Sequence, residues 1–379
     1  MQHLQYSEEL TGLRGAIKDF ILNGGTLPDK ERSDKFNELC LKVFALQFDN
    51  IDSYHKFCLQ KGTRPENTAL FTGIPAVPVQ AFKAGDIFIY PAAEARVTFK
   101  TSGTSGHKAG SAYFSETGAA LASLAIVRNA RNYLFPDGLD ARFFLISPTP
   151  ERAPHLTMAF GITEVMKNTG PHGGKHYIGP AGILWDELFT DLKKAAAENV
   201  PAAVIGPSFG VVFMLDRMAA GGMKLKLPPG SRLLDAGGFK GKSREISRTE
   251  MVEAAGEMLD IRPQYCVNTL GMSELGTQYY DNNLRNFILN REFPVYKENP
   301  HWAKTFVVDL RDFQVIPEGD ESRTGALLHF DLTNIDRALA ILTDDLGRYR
   351  GSGFEICGRI AADDIKGCSV TIEEMLTKK

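Results

Sequence analysis

The chain has 379 residues, a formal net charge of −3, and 43% hydrophobic and 23% charged residues. This length predicts one large α/β domain with a smaller appendage, or two domains. The charge provides no basic field for nucleic acid or for an anionic membrane surface. No run of 18 apolar residues occurs, and the first residues lack the apolar segment of a signal peptide. We therefore expect a cytoplasmic protein that does not span a membrane and does not bind nucleic acid.

The five cysteines are scattered along the chain and show no CxxC spacing. A disulfide framework or a structural zinc site is therefore not expected. The default interpretation for each cysteine is a small buried hydrophobic residue. These residues are Cys40, Cys58, Cys266, Cys357 and Cys368.

Residues 1–98 are predicted to form a helical segment that packs on the main domain. Apolar residues recur at helical spacing from Phe36 to Leu46, and Ser33 or Asp34 could serve as the N-cap. Two prolines in the stretch 73–78 remove backbone donors, so this stretch is not expected to be regular helix.

From about residue 99, predicted strands alternate with predicted helices, which indicates a mostly parallel sheet flanked by helices. Ligands of such sheets bind beyond the carboxyl ends of the strands. The predicted strands cover 142–147, 202–205, 232–235 and 264–268. The predicted helices cover 116–133, 186–198, 209–220 and 247–259.

After about residue 300 the pattern changes to β, with strand-like runs at 304–310, 325–331 and 354–357 and a turn at 317–320. We predict a core domain at 99–345, followed by a short C-terminal lobe at 346–379. A final helix is expected at 371–376.

The run KTSGTSGHKAG at 100–110 is the strongest chemical signal. Glycines let backbone amides approach an anion closely, and the hydroxyls add donors to phosphate oxygens. The Walker A spacing is absent, and a flexible surface loop is the alternative interpretation. The candidate phosphate-binding residues are Thr101, Ser102, Gly103, Thr104, Ser105 and Gly106.

This run resembles the phosphate loop of the adenylate-forming superfamily, and three further motifs follow in the family's order. LDAGGFKG at 234–241 is similar to the glycine segment that lies against adenine, which implies a role for Gly237 and Gly238. LGMSE at 270–274 resembles the motif that lies near phosphate and Mg²⁺. That likeness assigns Gly271, Met272 and Ser273 to the nucleotide and Glu274 to the metal, and carboxylates suit Mg²⁺.

The last series, LTDDLGR at 342–348 with GR at 358–359 and DDIKG at 363–367, resembles the superfamily's ribose-binding and hinge motifs. By that resemblance Asp345 binds both ribose hydroxyls through charge-assisted bonds, and Arg359 lies near the ribose and phosphate. Asp363 or Asp364 would mark the hinge into the C-terminal lobe.

The whole chain most resembles the LuxE-type acyl-protein synthetases and, more distantly, the phenylacetate-CoA ligases. The likeness implies an α/β fold with a large N-terminal adenylate-forming domain of mostly parallel sheets flanked by helices, plus a truncated small C-terminal lobe. It implies that Cys368 receives the acyl group and that His155 borders the acyl pocket. Lys366 could lower the pKa of the Cys368 thiol. Either Lys366 or Lys240 could replace the C-terminal catalytic lysine of longer relatives.

The resulting prediction is an enzyme that uses ATP and Mg²⁺ to activate a carboxylic acid as acyl-AMP and passes the acyl group to a protein thiol. The partner would be an acyl-accepting reductase or a carrier protein. Phe160, Phe209 and Phe213 indicate an apolar acid pocket formed by the loops at 150–180 and 206–240. Two alternatives stay open: a ligase that uses CoA as acceptor, and a nucleotide-binding scaffold subunit without catalysis.

Overall fold

The structure is a computed structural model that describes residues 8–101, 110–237, 243–292 and 294–360. It divides into two compact units, which are taken one at a time below. The first unit is formed by Met1–Ala125, Met272–Thr277 and Glu298–Lys379, and the second by Ile126–Gly271 and Gln278–Lys297. The segment boundaries predicted from the sequence stay predictions.

The second unit is built on a sheet that has six strands among the described residues. Its order is β11-β10-β9-β8-β4-β5, and every neighbouring pair is parallel except β10 with β11. The mostly parallel sheet predicted for this region is therefore confirmed. The strands are β4 Arg142–Leu145, β5 Gly174–His176, β8 Ala202–Pro207, β9 Arg232–Ala236, β10 Cys266–Leu270 and β11 Tyr279–Tyr280, and a separate hairpin pairs β6 Ile178–Gly179 with β7 Gly182–Ile183.

Helices cover both faces of this sheet because successive strand residues point to opposite cores. On β4, Phe144 faces one apolar cluster, while Phe143 and Leu145 face the other. The first cluster takes its helical residues from α7 Trp185–Ala197, α8 Ser208–Ala220 and α9 Arg248–Leu259. The second takes them from α5 Glu116–Tyr133, α6 Thr157–Thr169 and α10 Asn283–Ile288.

The start of α9 shows how local sequence sets a helix boundary. Ser247 Oγ accepts from the amide of Glu250 at 3.1 Å, and the Ser247 amide donates to Glu250 Oε2 at 2.6 Å. This reciprocal capping box satisfies two amides that have no partner within the helix. The helix predicted at 247–259 is confirmed, with Ser247 as its cap.

The other sheet has six strands among the described residues, in the order β12-β16-β15-β14-β13, with β1 parallel beside β15, and all of its residues except Lys297 of β12 belong to the first unit. The pairs from β13 to β16 are antiparallel. This sheet therefore differs from the parallel arrangement of the other unit, because short connections such as Gly351-Ser352 between β15 and β16 permit only antiparallel neighbours. The strands are β1 Val77–Pro78, β12 Lys297–Glu298, β13 Ala303–Val308, β14 Gly325–Asp331, β15 Ala340–Arg350 and β16 Gly353–Arg359.

The N-terminal part of this unit is helical, as predicted, and 73–78 is irregular before it joins the sheet as β1. The predicted N-cap at Ser33 or Asp34 is wrong, because the second helix begins at Asp29. Asp29 and Glu31 place negative charge in its first turn, where the helix dipole favours it. The remaining elements of the unit are α1 Glu8–Asn23, α2 Asp29–Asn50, α3 Asp52–Gln60, α4 Ala81–Ala84 and the hairpin of β2 Val97–Lys100 with β3 Ser111–Phe114.

Candidate functional site

The base of the predicted phosphate loop is held by the β2–β3 hairpin. The Thr101 amide donates to the Gly110 carbonyl at 3.1 Å, and the Gly110 amide donates to Thr101 Oγ1 at 3.0 Å. Thr101 is buried, so its hydroxyl serves this junction. Ser102, Gly103, Thr104, Ser105 and Gly106 lie outside the described residues, and their role stays a prediction.

Gly110 is required at the base of the loop for steric reasons. A Cβ added there would lie 2.5 Å from the backbone oxygen of Phe82. Such a contact forces a backbone shift, because a carbonyl oxygen in a packed segment cannot rotate away like a side chain. The glycine therefore lets the hairpin lie directly against the Phe82 backbone.

The structure brings the LGMSE segment to the same hairpin. Ser273 Oγ donates to the carbonyl of Lys100 at 2.9 Å, one residue before Thr101. Thr101 and Ser273, both predicted to serve the nucleotide, are thus neighbours in the first unit. Met272 is half-buried beside Ser273 in the chain, and its predicted role stays a prediction.

Three carboxyl groups of the first unit influence one another: Glu274, Asp344 and Asp345. Burial raises the pKa of Glu274 to about 7, and the nearby charge of Asp345 contributes to that rise. Burial also raises the pKa of Asp345, and Asp344 adds to the effect. Burial raises the pKa of Asp344, although Gln80 donates a hydrogen bond to its carboxylate. Their charged forms would be stabilised by a bound cation.

Arg359 lies opposite Asp345 in the register of β15 and β16. Its Nε is 3.5 Å from Asp345 Oδ1, and its side chain is 62% exposed while that of Asp345 is 12% exposed. The arginine thus pairs only loosely with the aspartate and keeps most of its guanidinium in solvent. An exposed cation beside a buried carboxylate fits a ligand that carries both hydroxyl groups and negative charge.

The donor set fits a magnesium ion that keeps most of its water and phosphate ligands. Among the described residues, no group of three or more His, Cys, Asp or Glu side chains is placed to hold a metal by itself. Mg²⁺ usually takes only one or two protein carboxylates together with substrate phosphates. The buried Glu274 carboxyl, whose pKa is raised to about 7, could supply one of them.

The glycine segment after β9 begins in the second unit at Gly237. Gly237 has φ +72°, a conformation that favours glycine. Ser208 Oγ contacts both the Gly237 carbonyl at 2.7 Å and Asp235 Oδ2 at 2.8 Å, and thereby fixes the turn. Gly238 and Lys240 lie outside the described residues. Gly271 is the last residue of the second unit's first segment, directly before Met272.

Asp235 is a polar centre that sequence reasoning did not single out. It is buried, it accepts from Arg248, and Asn268 Nδ2 donates to its Oδ2 at 2.9 Å. Asn268 Oδ1 in turn accepts from the buried Lys297 at 2.9 Å. An aspartate near the end of a buried strand, separated by one alanine from two glycines, was the available signal.

A small cavity of about 50 Å³ opens in the second unit at the carboxyl ends of β8, β9 and β10. This is the edge where parallel sheets bind ligands, as expected from the sequence. Phe160, Phe209 and Phe213, which we expected to form pocket walls, do not line it. The lining residues are Thr157, Met158, Ile162, Ile205, Gly206, Leu234, Ala236, Thr269, Gly271 and Gln278.

The three phenylalanines pack elsewhere in the second unit. Phe160 packs on the apolar cluster beneath α6, and Phe209 and Phe213 contact each other edge-to-face on α8. His155 is exposed in the turn before α6, two residues before the cavity residue Thr157. Its role at an acyl pocket stays a prediction.

The described cysteines are poorly suited to nucleophilic attack. Burial raises the pKa of Cys40 well above its usual value, and it raises the pKa of Cys58 and of Cys266 to about 12. Cys357 is exposed, and its pKa is also raised, mainly by partial burial. Cys368 and Lys366 lie outside the described residues, as do Asp363 and Asp364.

Comparison with known proteins identifies the family. The family model "Acyl-protein synthetase, LuxE" matches residues 7–377. The chain belongs to the LuxE acyl-protein synthetase family. It is 21% identical over 364 residues to a long-chain-fatty-acid–luciferin-component ligase from Vibrio harveyi, a match that covers 92% of this chain and 90% of that protein.

The fold of this LuxE-family chain is also that of a solved structure. A 2-hydroxyisobutyryl-CoA ligase, solved with 2-HIB-AMP and CoA, matches with a TM-score of 0.64 at 15% identity, covering 89% of this chain and 70% of that chain. The predicted α/β adenylate-forming fold is confirmed. The chain is an AMP-forming ligase of the acyl-protein synthetase family, so the predicted enzyme class and acid activation are confirmed as well. No helix among the described residues has both the length and the apolarity needed to cross a membrane.

Proposed function

We propose that this enzyme activates a long-chain fatty acid with ATP and transfers the acyl group through Cys368 to a partner protein. The observation that carries the nucleotide part is the grouping of Glu274, Asp345 and Arg359 in one unit: buried carboxyls whose pKa values are raised, beside an exposed guanidinium. The fatty chain is supported by the Vibrio harveyi relative, whose name states that substrate class.

The first half-reaction joins the acid to the α-phosphate of ATP. A carboxylate oxygen of the fatty acid attacks the α-phosphorus, the bond to the bridging oxygen breaks, and pyrophosphate leaves. In the proposal Asp345 accepts hydrogen bonds from the ribose hydroxyls, and Arg359 faces the developing negative charge on phosphate. Thr101 and Ser273 hold the loop and the LGMSE segment together, so positioning supplies much of the catalysis.

Mg²⁺ would neutralise phosphate charge when it is bound, and we assign Glu274 as its protein ligand. The Glu274 carboxyl is 6% exposed and belongs to a segment anchored at Lys100 through Ser273. A buried carboxyl of raised pKa is stabilised in its charged form by a cation, which is the physical support for the assignment.

The second half-reaction moves the acyl group to a thiol. The Cys368 thiolate attacks the acyl carbon, the bond from that carbon to the phosphate oxygen breaks, and AMP leaves with the electron pair. The four described cysteines favour this choice, since a raised pKa keeps each of them largely protonated at neutral pH. Lys366 would favour the Cys368 thiolate by its charge.

ATP–pyrophosphate exchange tests the proposal on acids of increasing length. Exchange should rise from short to long saturated acids, because each buried methylene adds about 0.8 kcal/mol. Equal exchange with short, aromatic and long-chain acids would contradict the fatty-acid proposal. No exchange with any acid would leave a nucleotide-binding scaffold as the better account. Adding CoA and measuring acyl-CoA separates the protein-thiol acceptor from the CoA alternative.

A further inference from the structure

The segment that carries Glu274 rests on a buried polar loop that follows β14. The loop runs from Asp331 to Arg337, and its polar side chains are at most 1% exposed. Burying so many polar groups is costly unless each is hydrogen-bonded. The polar members are Asp331, Thr333, Asn334, Asp336 and Arg337.

Asn334 is the member that contacts the Glu274 backbone most directly. Its Nδ2 donates to the Glu274 carbonyl at 3.0 Å, and its Oδ1 accepts from the Gly276 amide at 3.2 Å. The same side chain donates to the Ala338 carbonyl at 2.9 Å and accepts from Arg337 Nη2 at 2.6 Å. The side-chain amide of Asn334 therefore hydrogen-bonds the backbone on both sides of Leu275.

Asp331 fixes the other end of the segment. Its Oδ2 accepts from the Thr277 amide at 2.9 Å, and its Oδ1 accepts from the Thr277 hydroxyl at 2.9 Å. The indole of Trp302 also donates to that hydroxyl, at 3.0 Å. Three of the four residues 274–277, namely Glu274, Gly276 and Thr277, are thereby held through their backbones by side chains that are themselves buried.

The segment packs closely against the loop at Gly276, and the loop itself is held by further contacts. A Cβ at Gly276 would lie 2.3 Å from Thr333 Oγ1. The guanidinium of Arg337 lies 3.4 Å from the centre of the Phe114 ring and donates to Asp336 Oδ1 at 2.8 Å. Gln47 Nε2 donates to the Asn334 carbonyl at 2.7 Å, and Gln47 Oε1 accepts from the Leu339 amide at 2.9 Å.

We propose that Asn334 and Asp331 are positioning residues that hold the backbone of 274–277 and so place the Glu274 carboxylate for the metal. Neither residue needs to touch the nucleotide. The inference rests on the proposed role of Glu274 as the magnesium ligand. Its physical basis is that partners which orient a metal ligand typically change metal affinity or activity by about 10–100-fold when they are lost.

The test measures metal binding without turnover. Mn²⁺ is titrated into the full-length enzyme saturated with α,β-methylene ATP, which cannot be cleaved at the reacting bond, and free Mn²⁺ is followed by electron paramagnetic resonance. Asn334→Asp keeps the side-chain size but replaces the donor to the Glu274 carbonyl by an acceptor. It should weaken Mn²⁺ binding about tenfold or more, in parallel with Glu274→Gln.

Thr305→Val is the matched control for a merely structural loss. Thr305 is buried in the same unit, on β13, and shares a hydrogen bond of 2.9 Å with His329 Nδ1 on β14. Thr305→Val should lower the melting temperature but leave Mn²⁺ affinity within twofold of wild type. If Asn334→Asp does not fold, Thr277→Val replaces it. Thr277→Ser, which retains the hydroxyl, should restore the affinity.

The outcomes separate the two proposals. Weaker Mn²⁺ binding in both Glu274→Gln and Asn334→Asp supports positioning. Weaker binding in Glu274→Gln alone, with Asn334→Asp and Thr277→Val like wild type, overturns the positioning role and leaves the metal assignment standing. Unchanged binding in Glu274→Gln overturns the metal assignment, and positioning of that ligand falls with it.

Discussion

Asp345 occupies a position where its charge costs the fold free energy. The residue is 8% exposed, and burial raises its pKa, with only the loosely paired Arg359 at 3.5 Å to offset the effect. Its amide donates to Thr343 Oγ1 at 3.2 Å, which holds the backbone but leaves the carboxylate for other partners. Unfavourable placement of a charge is a mark of sites selected for binding.

Replacing Asp345 by Ala should weaken ATP binding about tenfold or more, since each lost bond to a charged group is worth about 1.5–3 kcal/mol. If the lost bonds are to the ribose, 2′-deoxy-ATP should be discriminated against less by the variant than by wild type. Steady-state kinetics with both nucleotides measures this. Equal discrimination by the two proteins would place the ribose elsewhere.

A structural role of Asp345 is tested separately, by measuring protein stability. Because the folded-state pKa of Asp345 is raised, its ionisation opposes folding as pH rises above the unfolded value. Asp345→Asn, of the same size but uncharged, should therefore melt no lower than wild type at pH 8. A clear drop in melting temperature would indicate a structural role.

His329 gives a second prediction at this scale. Burial lowers its pKa to about 3, so the folded protein keeps the imidazole neutral. Below about pH 6.5 the His329 imidazole becomes protonated in the unfolded chain but stays neutral in the folded chain. The free energy of unfolding should not depend on protonation of His329 above pH 6.5, and it should fall by up to about 1.4 kcal/mol per pH unit towards pH 3.

His329→Asn can keep a bond to Thr305 and should lose that slope. Urea unfolding at pH 7.5, 6.0 and 5.0 measures the difference, and the same substitution at the exposed His172 is the control for loss of an imidazole. Parallel pH profiles for wild type and His329→Asn would contradict the buried neutral histidine.

At the scale of elements, the hairpin of β2 and β3 holds the two ends of the predicted phosphate loop, Thr101 and Gly110. Gly110→Ala places a Cβ 2.5 Å from the Phe82 carbonyl oxygen and should cost about 1–3 kcal/mol of stability together with much of the exchange activity. Gly85→Ala is the matched control, since its Cβ would meet no atom within 4 Å and its φ of −168° suits any residue. Pyrophosphate exchange and thermal melting compare them. Equal behaviour of the two variants would show that the close approach at Gly110 is unimportant.

The parallel sheet could be predicted because the strand and helix patterns that indicate it are local in sequence and agree with one another. Helix α5 has the predicted bounds, and β14 does as well. Strand β15 was not identified because its pattern is inverted: Thr343 and Asp345 lie on the more buried face, while Leu342 and Leu346 lie on the other. In most strands the apolar residues lie on the buried face, and a strand that places polar residues there for a binding site breaks this pattern. The LTDDLGR motif could therefore be recognised from the sequence, although the strand that carries it could not.

The buried loop at 331–337 shows a different limit of sequence reasoning. Its run of Asp, Thr, Asn, Asp and Arg is typical of an exposed turn. It is buried because several of these side chains find partners distant in sequence: Asp331 bonds Thr277, Asn334 bonds the Glu274 carbonyl and Asp336 bonds the Ser115 amide. A pattern within a few consecutive residues cannot reveal hydrogen-bond partners that the tertiary fold brings from distant parts of the chain. The positioning role of Asn334 was therefore accessible only from the structure.

At the scale of the whole molecule, the order of motifs along the chain was more informative than any one of them. Thr101, Ser273, Glu274, Asp345 and Arg359 lie in the first unit, while Gly237 and Gly271 lie in the second. The family match over residues 7–377 supports that order from end to end. His155, Lys366 and Cys368 stay predictions, since their chemistry depends on the acyl group.

In the proposed reaction the activated acyl group passes through a thioester on the enzyme itself. The most direct measurement is the intact mass of the protein after incubation with ATP, Mg²⁺ and a long-chain fatty acid, without CoA. The mass should rise by one acyl group, neutral hydroxylamine should remove it, and Cys368→Ser should not acquire it although the variant still exchanges pyrophosphate. An unchanged mass, with acyl-CoA formed as soon as CoA is added, would contradict the account.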